Sequence, residues 1–423
     1  MRFFVSLIGA AALSCLAAPG IAGDTSFTIA AIPDTQNYTD YTHQSEEGFG
    51  LDADDMFLDQ MRYIAENLEA NGGDIAFVTA LGDVWQHQTK QIDPAHAARG
   101  FERVPNEFFD KHFGPTDKVT TVEIATARAG YALIAGKVPL SVVPGNHDYD
   151  AMWLNKVDGP PPAIGGVTFP GTLHAGGLDN FRSLFGADQP LFKGRDWYVA
   201  SHDGGADSAQ VFSAGGYRFL HIGLQFDAPD ASLAWAAGVI AAHPGLPTIV
   251  SMHDFLNTSG ERSANPLISN NASDPLDNTP QMIWDELIKK HDQIFLVLSG
   301  HHHGQSRRVD NNDAGHPVWQ MLSDYQDRKQ AAIDAGIDMG RGGGLGDGWL
   351  RLLTFDMGSQ VPTIRVRTHS THYRKLSRDT ARYAAWYKAQ EDPDLSDEAF
   401  HEEDDFTVEL TGFRKRFGAP GRD

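Results

Sequence analysis

Five short apolar runs along the chain are each followed at once by polar residues. The runs are nearly continuous and rich in aliphatic and β-branched residues, which is typical of strands buried on both faces of a sheet. The sequence therefore predicts strands at residues 27–32, 74–81, 138–143, 247–252 and 293–299. The residues that follow them are Asp34-Thr35-Gln36, Gly82-Asp83, Gly145-Asn146-His147-Asp148, His253-Asp254 and Gly300-His301-His302-His303.

Residues 54–71, between the first two runs, have a different period. Phe57, Met61, Ile64 and Leu68 recur at intervals of three or four residues, so this segment is predicted to be an amphipathic helix. An order in which buried strands alternate with helices indicates a protein of the α/β class.

The polar residues after the runs point to one shared site. In open α/β sheets, ligand groups gather outside the carboxyl ends of the strands. On its own, Gly145-Asn146-His147-Asp148 is explained better as an ordinary Asn/Asp/Gly turn. Five runs that all end in carboxylate, amide or imidazole side chains favour a common metal site over independent turns.

Composition excludes some classes of partner. The chain has 423 residues and a formal net charge of -22 at pH 7, so it should repel nucleic-acid polymers.

The densest acidic stretch, residues 391–405, carries nine carboxylates. We predict a flexible or solvated segment there, with calcium binding as the alternative.

The N-terminal residues 1–23 resemble a secretory signal peptide, with Arg2, a short apolar run and small residues near Ala22. We therefore expect a secreted or periplasmic protein without stable membrane insertion, because the apolar run is too short to span a lipid bilayer. Cys15 is the only cysteine, so the mature chain would have neither disulfides nor thiolate chemistry. A lipid anchor at Cys15 is the alternative, although the residues before it match a lipoprotein cleavage site poorly.

Carboxylates, amides and imidazoles without thiolates suit two-metal hydrolysis of a phosphoester. Two divalent ions supply a nucleophile from water at neutral pH and offset the charge of the phosphoryl group. Neutral imidazole and amide ligands complete the sites without repelling the substrate anion. Nitrogen and oxygen donors favour zinc, iron, manganese or magnesium, and the sequence leaves the metal open.

At these residues the chain resembles the calcineurin-like metallophosphoesterases, over roughly residues 25–354. Each motif is weak alone, but their order and separation are specific to that superfamily. The resemblance implies an α/β fold in which two mixed β-sheets pack as a sandwich flanked by helices, in four layers. The motifs are Asp34-Thr35-Gln36, Gly82-Asp83, Gly145-Asn146-His147-Asp148, His253 and Gly300-His301-His302-His303.

The resemblance also implies a dinuclear metal centre with its ligands in these motifs. Asp34 and His303 would bind the first metal, and Asp83 would bridge the two ions. The ligands of the second metal would be Asn146, His253 and His301.

Two residues of the third motif are implied to act on the substrate. His147 would face the phosphoryl group or protonate the leaving oxygen, and Asp148 would orient the His147 ring. His302 lies between two implied ligands and is expected to point away from the metals.

The first motif departs from the family, which commonly has histidine where this chain has Gln36. Gln36 still offers a carbonyl oxygen, and we predict that it is a metal ligand; contact with a water molecule or the substrate is the alternative. The segment after Asp83 lacks the tyrosine of the purple acid phosphatases, so an iron–tyrosinate site is not expected.

We expect one catalytic domain at residues 24–412, which includes the acidic segment, and a C-terminal tail at 413–423. The implied function is a secreted phosphoesterase that hydrolyses phosphate monoesters or diesters of small molecules with metal-activated water. The alternatives are a metal-stabilised binding protein without activity and a metallohydrolase of another ester. The oligomeric state stays open.

Overall fold

The computed structural model describes residues 25–155, 170–337 and 344–421. The predicted signal peptide at 1–23 and Cys15 lie outside the described residues.

Two large mixed sheets form the centre of the described chain. The first has the strand order β15-β14-β13-β1-β2-β3, with β16 beside β14, and the second has the order β11-β12-β10-β9-β8-β7-β6. A separate ribbon pairs β4 with β5. The strands are β1 (Ser26–Ile32), β2 (Ile75–Ala80), β3 (Leu140–Val142), β4 (Ala151–Asn155), β5 (Thr172–Gly176), β6 (Tyr198–His202), β7 (Asp207–Ala214), β8 (Tyr217–Gly223), β9 (Thr248–Ser251), β10 (Ile294–Ser299), β11 (Gly304–Asn311), β12 (Pro317–Asp324), β13 (Trp349–Asp356), β14 (Thr363–Ser370), β15 (Lys375–Leu376) and β16 (Phe406–Glu409).

The helices are short, and the longest lies between β1 and β2. None in the described ranges is long and apolar enough to cross a membrane. The α-helices are α1 (Gln36–Thr39), α2 (Ala53–Glu66), α3 (Pro94–Ala98), α4 (Glu107–His112), α5 (Ile124–Ala132), α6 (Asp179–Phe185), α7 (Asp230–Ala242), α8 (Pro280–Ile283), α9 (Gln330–Asp334), α10 (Ala385–Glu391), α11 (Asp397–Asp404) and α12 (Phe413–Phe417).

All five strands predicted from apolar runs are present, as β1, β2, β3, β9 and β10. In the first sheet β1, β2 and β3 run parallel, and in the second sheet β9 and β10 do so as well. Parallel strands are covered on both faces, which explains why their sequences are apolar throughout. The predicted helix is α2, which buries Phe57, Met61 and Ile64 and ends at Glu66.

Apolar contacts lie in three layers. Between the two sheets, aromatic side chains dominate: Phe27 of β1 stacks on Phe355 of β13 at 4.7 Å, and Phe77 of β2 stacks on Phe212 of β7 at 4.4 Å. The outer face of the first sheet packs against α2 and α5, and the outer face of the second packs against α7 and α8. The fold is therefore a mixed α/β sandwich with helices outside.

The acidic segment at 391–405 is more ordered than its composition indicates. It contains the end of α10 and all of α11, and it buries Phe400 and Asp404. The prediction is therefore wrong in part: α11 is an ordered helix, but Asp397, Glu398 and Glu402 on its other face are exposed to solvent as predicted. After it comes β16, which pairs with β14. Phe413 of α12 also packs between the sheets, so the core includes residues beyond 412.

Asp404 is held by opposite charge and by hydroxyl groups. Its carboxylate is fully buried, lies 2.6 Å from Arg351 Nη2, and accepts hydrogen bonds from Tyr383 at 2.6 Å and Tyr325 at 2.9 Å. A single acidic residue thus compensates a buried guanidinium and ties α11 to β13.

We predict that Asp404→Ala destabilises the protein by about 3–5 kcal/mol, because it leaves Arg351 buried without its carboxylate. Urea unfolding followed by circular dichroism measures the loss. Glu402→Ala, on the exposed side of α11, is the control and should change stability by less than about 0.5 kcal/mol. Equal stability of the two variants would contradict this account of α11.

Candidate metal centre

The strand ends place the predicted ligands at one edge of the sandwich. Asp34 follows β1, Asp83 follows β2, Asn146 follows β3, His253 follows β9 and His301 follows β10. All five side chains are buried, with at most 7% of their surface exposed. Both sheets therefore contribute to one cluster, as the pattern of runs predicted.

Close backbone approach makes two glycines necessary. A Cβ atom on Gly82 would lie 2.6 Å from His253 Nδ1, and one on Gly145 would collide with the Asp83 carboxylate. Asp83 and His301 have φ angles of 50° and 71°, in the left-handed region that costs non-glycine residues energy. Two of the ligand positions therefore have a strained backbone.

The Nε2 atom of His253 is the centre of the cluster. It lies 3.1 Å from Asn146 Oδ1, 3.2 Å from Asp83 Oδ1 and 3.2 Å from His301 Nδ1. The nearest oxygen of Asp34 is 3.9 Å away. On the other side of the ring, His253 Nδ1 donates to the carbonyl of Leu81 at 2.8 Å. This bond directs Nε2 at the other donor atoms.

The two carboxylates give this cluster an excess of negative charge. Burial lowers the pKa of His253, but Asp83 and Asp34 together raise it to about 10. Burial and the nearby charge of Asp324 hold the pKa of Asp34 well above its usual range. Burial and neighbouring imidazoles lower the pKa of His301. The two carboxylates thus favour a positive charge at His253 Nε2.

The donor set fits a metal ion. Asp83, His253 and His301 offer ligand atoms that all lie within 4.8 Å of one another. Two ligands bound to one zinc ion, each at its ordinary bond length, lie about 3 to 3.5 Å apart, and the separations around His253 Nε2 are in this range. Residues able to hold an ion here are Asp83, Asn146, His253 and His301.

Gln36 and His303 lie beside this group. The Gln36 amide donates to Gln326 at 2.7 Å and to Asp83 at 3.3 Å, while its carbonyl oxygen is buried without a hydrogen-bond partner in the described chain. His303 is more exposed and pairs through Nδ1 with Asp327 at 2.7 Å. The carboxylates of Asp327, Asp324 and Asp34 raise the pKa of His303.

His147 lies at the cluster, but its contacts differ from those predicted. Its backbone N–H donates to Asp83 at 2.9 Å, and its ring Nδ1 donates to the carbonyl of Gln86 at 2.7 Å. Asp148 makes no hydrogen bond to the ring. Its carboxylate accepts backbone N–H groups, from Gly145 and from Val84, each at 2.8 Å. The prediction that Asp148 orients His147 is therefore corrected, because the turn brings its carboxylate onto backbone donors instead.

Several buried partners of these residues were missed. Asp254 pairs with His302 at 3.1 Å, and the two form with His301 a second group whose ligand atoms lie within 4.8 Å of one another. The expectation that His302 points away from the site is therefore not supported. Asp324 is the last residue of β12 and Gln326 follows the strand, and both join Gln36 through the Gln326 side chain. Residues 318–324 have the same pattern as the recognised runs, an apolar strand followed by polar side chains. That pattern was the available signal for Asp324.

A cavity of about 520 Å³ opens over the cluster. The lining includes His147 and five members of the predicted set for the metals, which are Gln36, Asp83, Asn146, His301 and His303. The cavity is large enough for a small substrate.

Comparisons with known proteins assign no family to this arrangement. No protein-family model matches the chain. An uncharacterized protein of Bacillus subtilis (strain 168), YvnB, is 27% identical over 243 residues, which cover 56% of this chain and 15% of that protein. Among solved structures, GAP50, the anchor in the inner membrane complex of Plasmodium, has a TM-score of 0.38 at 11% identity. That alignment covers 83% of this chain and 86% of the other.

We predict that metal binding releases a proton from His253. Without an ion this histidine keeps its proton below about pH 10, because Asp83 and Asp34 stabilise the charged ring. A metal ion needs the neutral imidazole. The apparent affinity for Zn²⁺ or Mn²⁺ should therefore rise about tenfold per pH unit near neutrality.

Isothermal titration calorimetry in buffers of different ionisation enthalpy measures both the affinity and the proton release. His202→Gln, which removes a histidine on β6 away from the cavity, should behave like the parent. An affinity independent of pH would contradict the proposed displacement.

Proposed function

We propose that this protein is a metal-dependent phosphoesterase of the calcineurin-like kind, which hydrolyses phosphate monoesters or diesters. The observation that carries the proposal is the convergence of five strand ends on His253 Nε2. Two carboxylates, an amide and two imidazoles meet there beneath an open cavity. A site that only stabilises the fold has no need of a cavity beside its ligands.

Each ligand has a proposed place in a two-ion centre. Asp83, Asn146, His253 and His301 hold one ion, as their mutual distances indicate. Asp83 would also hold a second ion, together with the remaining candidates Asp34, Gln36 and His303. When bound, the ions supply positive charge against the phosphoryl group and activate water for attack.

His147 acts on the substrate rather than on a metal. Its Nδ1 proton is committed to the Gln86 carbonyl, so Nε2 is the atom free to face the cavity. A protonated Nε2 donates to the leaving oxygen as the ester bond breaks, and the ring is then neutral. The backbone N–H of His147 also donates to the Asp83 carboxylate. This hydrogen bond fixes the distance between His147 and Asp83.

The cavity wall indicates the kind of ester. Six apolar side chains line it, and the ring of Phe113 lies 5.6 Å from Phe109 and 5.9 Å from His147. No lysine or arginine is among the described lining residues. The leaving group beside His147 is therefore proposed to be apolar and uncharged. The six are Phe109, Phe113, Met152, Leu173, Leu267 and Ile268.

We predict hydrolysis of para-nitrophenyl phosphate or its bis-ester after loading with Mn²⁺, Fe²⁺, Zn²⁺ or Mg²⁺. Asp83→Asn should lose bound metal and turnover together, because the shared carboxylate is gone; elemental analysis and absorbance assays measure the two. Asp356→Asn, at the far end of β13, is the matched control. Normal metal content and activity in Asp83→Asn would refute the site. Metal binding without turnover of any ester would support a binding protein instead.

We predict that naphthyl phosphate is a better substrate than glycerol phosphate by kcat/KM. Phe113→Ala should lower kcat/KM for naphthyl phosphate about tenfold, the order expected for losing a buried aromatic contact, and should leave glycerol phosphate nearly unchanged. Phe417→Ala, in α12 at the opposite end of the sandwich, is the control. An equal loss for both substrates would show that Phe113 only supports the fold.

A further inference from the structure

The segment Val84–Gln88 holds His147 from two directions. The Gln86 carbonyl accepts the ring Nδ1 proton at 2.7 Å, and the Gln88 side chain donates to the His147 carbonyl at 3.3 Å. Because the ring is bound through a backbone carbonyl, its orientation depends on where this segment lies.

Two buried carboxylates fix the ends of the segment. Asp148 accepts the backbone N–H of Val84 at 2.8 Å. Glu123 holds His87 with both oxygens, accepting the backbone N–H at 3.1 Å and the ring Nδ1 proton at 2.6 Å. The carbonyl of Gln86 belongs to the peptide unit whose N–H is that of His87. Glu123 therefore fixes the same peptide plane that receives the His147 proton.

Glu123 is placed for this contact by an irregular helix. It is fully buried and ends the π-helical turn Val119–Glu123, directly before α5. Such turns insert one residue into a helix and are frequent at functional sites. The carboxylate reaches from the helical layer to the segment beside the cavity.

Carboxylates and an aromatic ring surround His87, and they stabilise a positive charge on its ring without a metal ion. Asp40 lies 3.8 Å from His87 Nδ1, and His43 pairs with Asp40 at 3.0 Å. Tyr41 stacks on the His87 ring at 4.9 Å, and Lys118 lies over Tyr41. The 2.6 Å separation between His87 and Glu123 is a direct hydrogen bond. Two ligands of one ion would lie about 3 Å apart or more.

We propose that Glu123 is a positioning residue for His147, acting through His87 and the Gln86 carbonyl. By fixing that peptide plane, Glu123 keeps the His147 proton on Nδ1 in the neutral ring and directs Nε2 into the cavity. This inference rests on the proposed role of His147 as the group that protonates the leaving oxygen. In this proposal Glu123 orients the His147 ring, which is the role that the family resemblance implied for Asp148.

The test is a double-mutant cycle in the metal-loaded full chain. His147→Ala should lower kcat about 10² to 10⁴-fold, the usual range for a positioned acid. Glu123→Gln should lower kcat about tenfold with KM nearly unchanged. The loss should be larger for an alkyl phosphate than for para-nitrophenyl phosphate, whose leaving group needs no proton. In the His147→Ala background, Glu123→Gln should have almost no further effect.

Asp207→Asn is the matched control. Like Glu123, Asp207 is fully buried and accepts a histidine ring proton, from His202 at 2.8 Å, and a backbone N–H, from Gln225 at 2.9 Å. It should leave the ratio of the two substrates' rates unchanged. His87→Gln removes the ring contact by another route and should repeat the non-additivity, which guards against misfolding of Glu123→Gln. Additive losses in the His147→Ala background would overturn the inference.

A second measurement does not need activity. Nitrogen-15 NMR of the labelled histidines should show His147 protonated at Nδ1 in the parent and a mixture of tautomers in Glu123→Gln. If the parent hydrolyses no ester with any metal, the proposed function fails while this measurement still decides the role of Glu123. An unchanged His147 tautomer in Glu123→Gln would overturn the inference.

Discussion

Two buried carboxylates, Asp34 and Asp83, face one imidazole where the strand ends of both sheets meet. Both carboxylates require a positive charge beside them, and the rest of the site depends on this requirement. His253 meets it with a proton in the isolated chain, since the carboxylates raise its pKa to about 10. In the proposed function, a divalent ion would supply this positive charge in place of the proton. The Leu81 carbonyl and the glycines beside the ligands keep these atoms in contact.

The sandwich explains how the ligands come from such distant parts of the chain. Asp34, Asp83 and Asn146 follow parallel strands of the first sheet, and His253 and His301 follow parallel strands of the second. The aromatic layer between the sheets holds the two sets of strand ends together. Substitutions in that layer should therefore disturb the site as well as stability.

The position of His147 depends on two layers of the structure. Asp148 anchors the start of the Val84–Gln88 segment from within the turn that carries His147. Glu123 anchors its end from the helical layer, through the backbone and the ring of His87. The His147 ring therefore contacts a peptide carbonyl and no side-chain acid. In the proposed function, this arrangement would leave the apolar wall at Phe113 free to contact the leaving group.

The sequence by itself determined the strands, the class of fold and most of the polar residues that meet in one cluster. Strands that are buried on both faces must be apolar throughout, and polar residues begin where such a strand ends. The five runs therefore marked both the strands and the positions of Asp83, Asn146 and His253. The same rule applied to β12 indicates Asp324. The helix α2 followed from its period alone.

Only the tertiary structure decided which partner each side chain finds. Asp148 is next to His147 in the chain, but the turn directs its carboxylate to backbone N–H groups, and a residue from a distant helix, Glu123, takes the orienting role. The acidic α11 packs because Asp404 finds Arg351, a pairing between segments 53 residues apart. Local patterns fix which face of an element is apolar, whereas a hydrogen bond between segments depends on their packing, which no local pattern encodes.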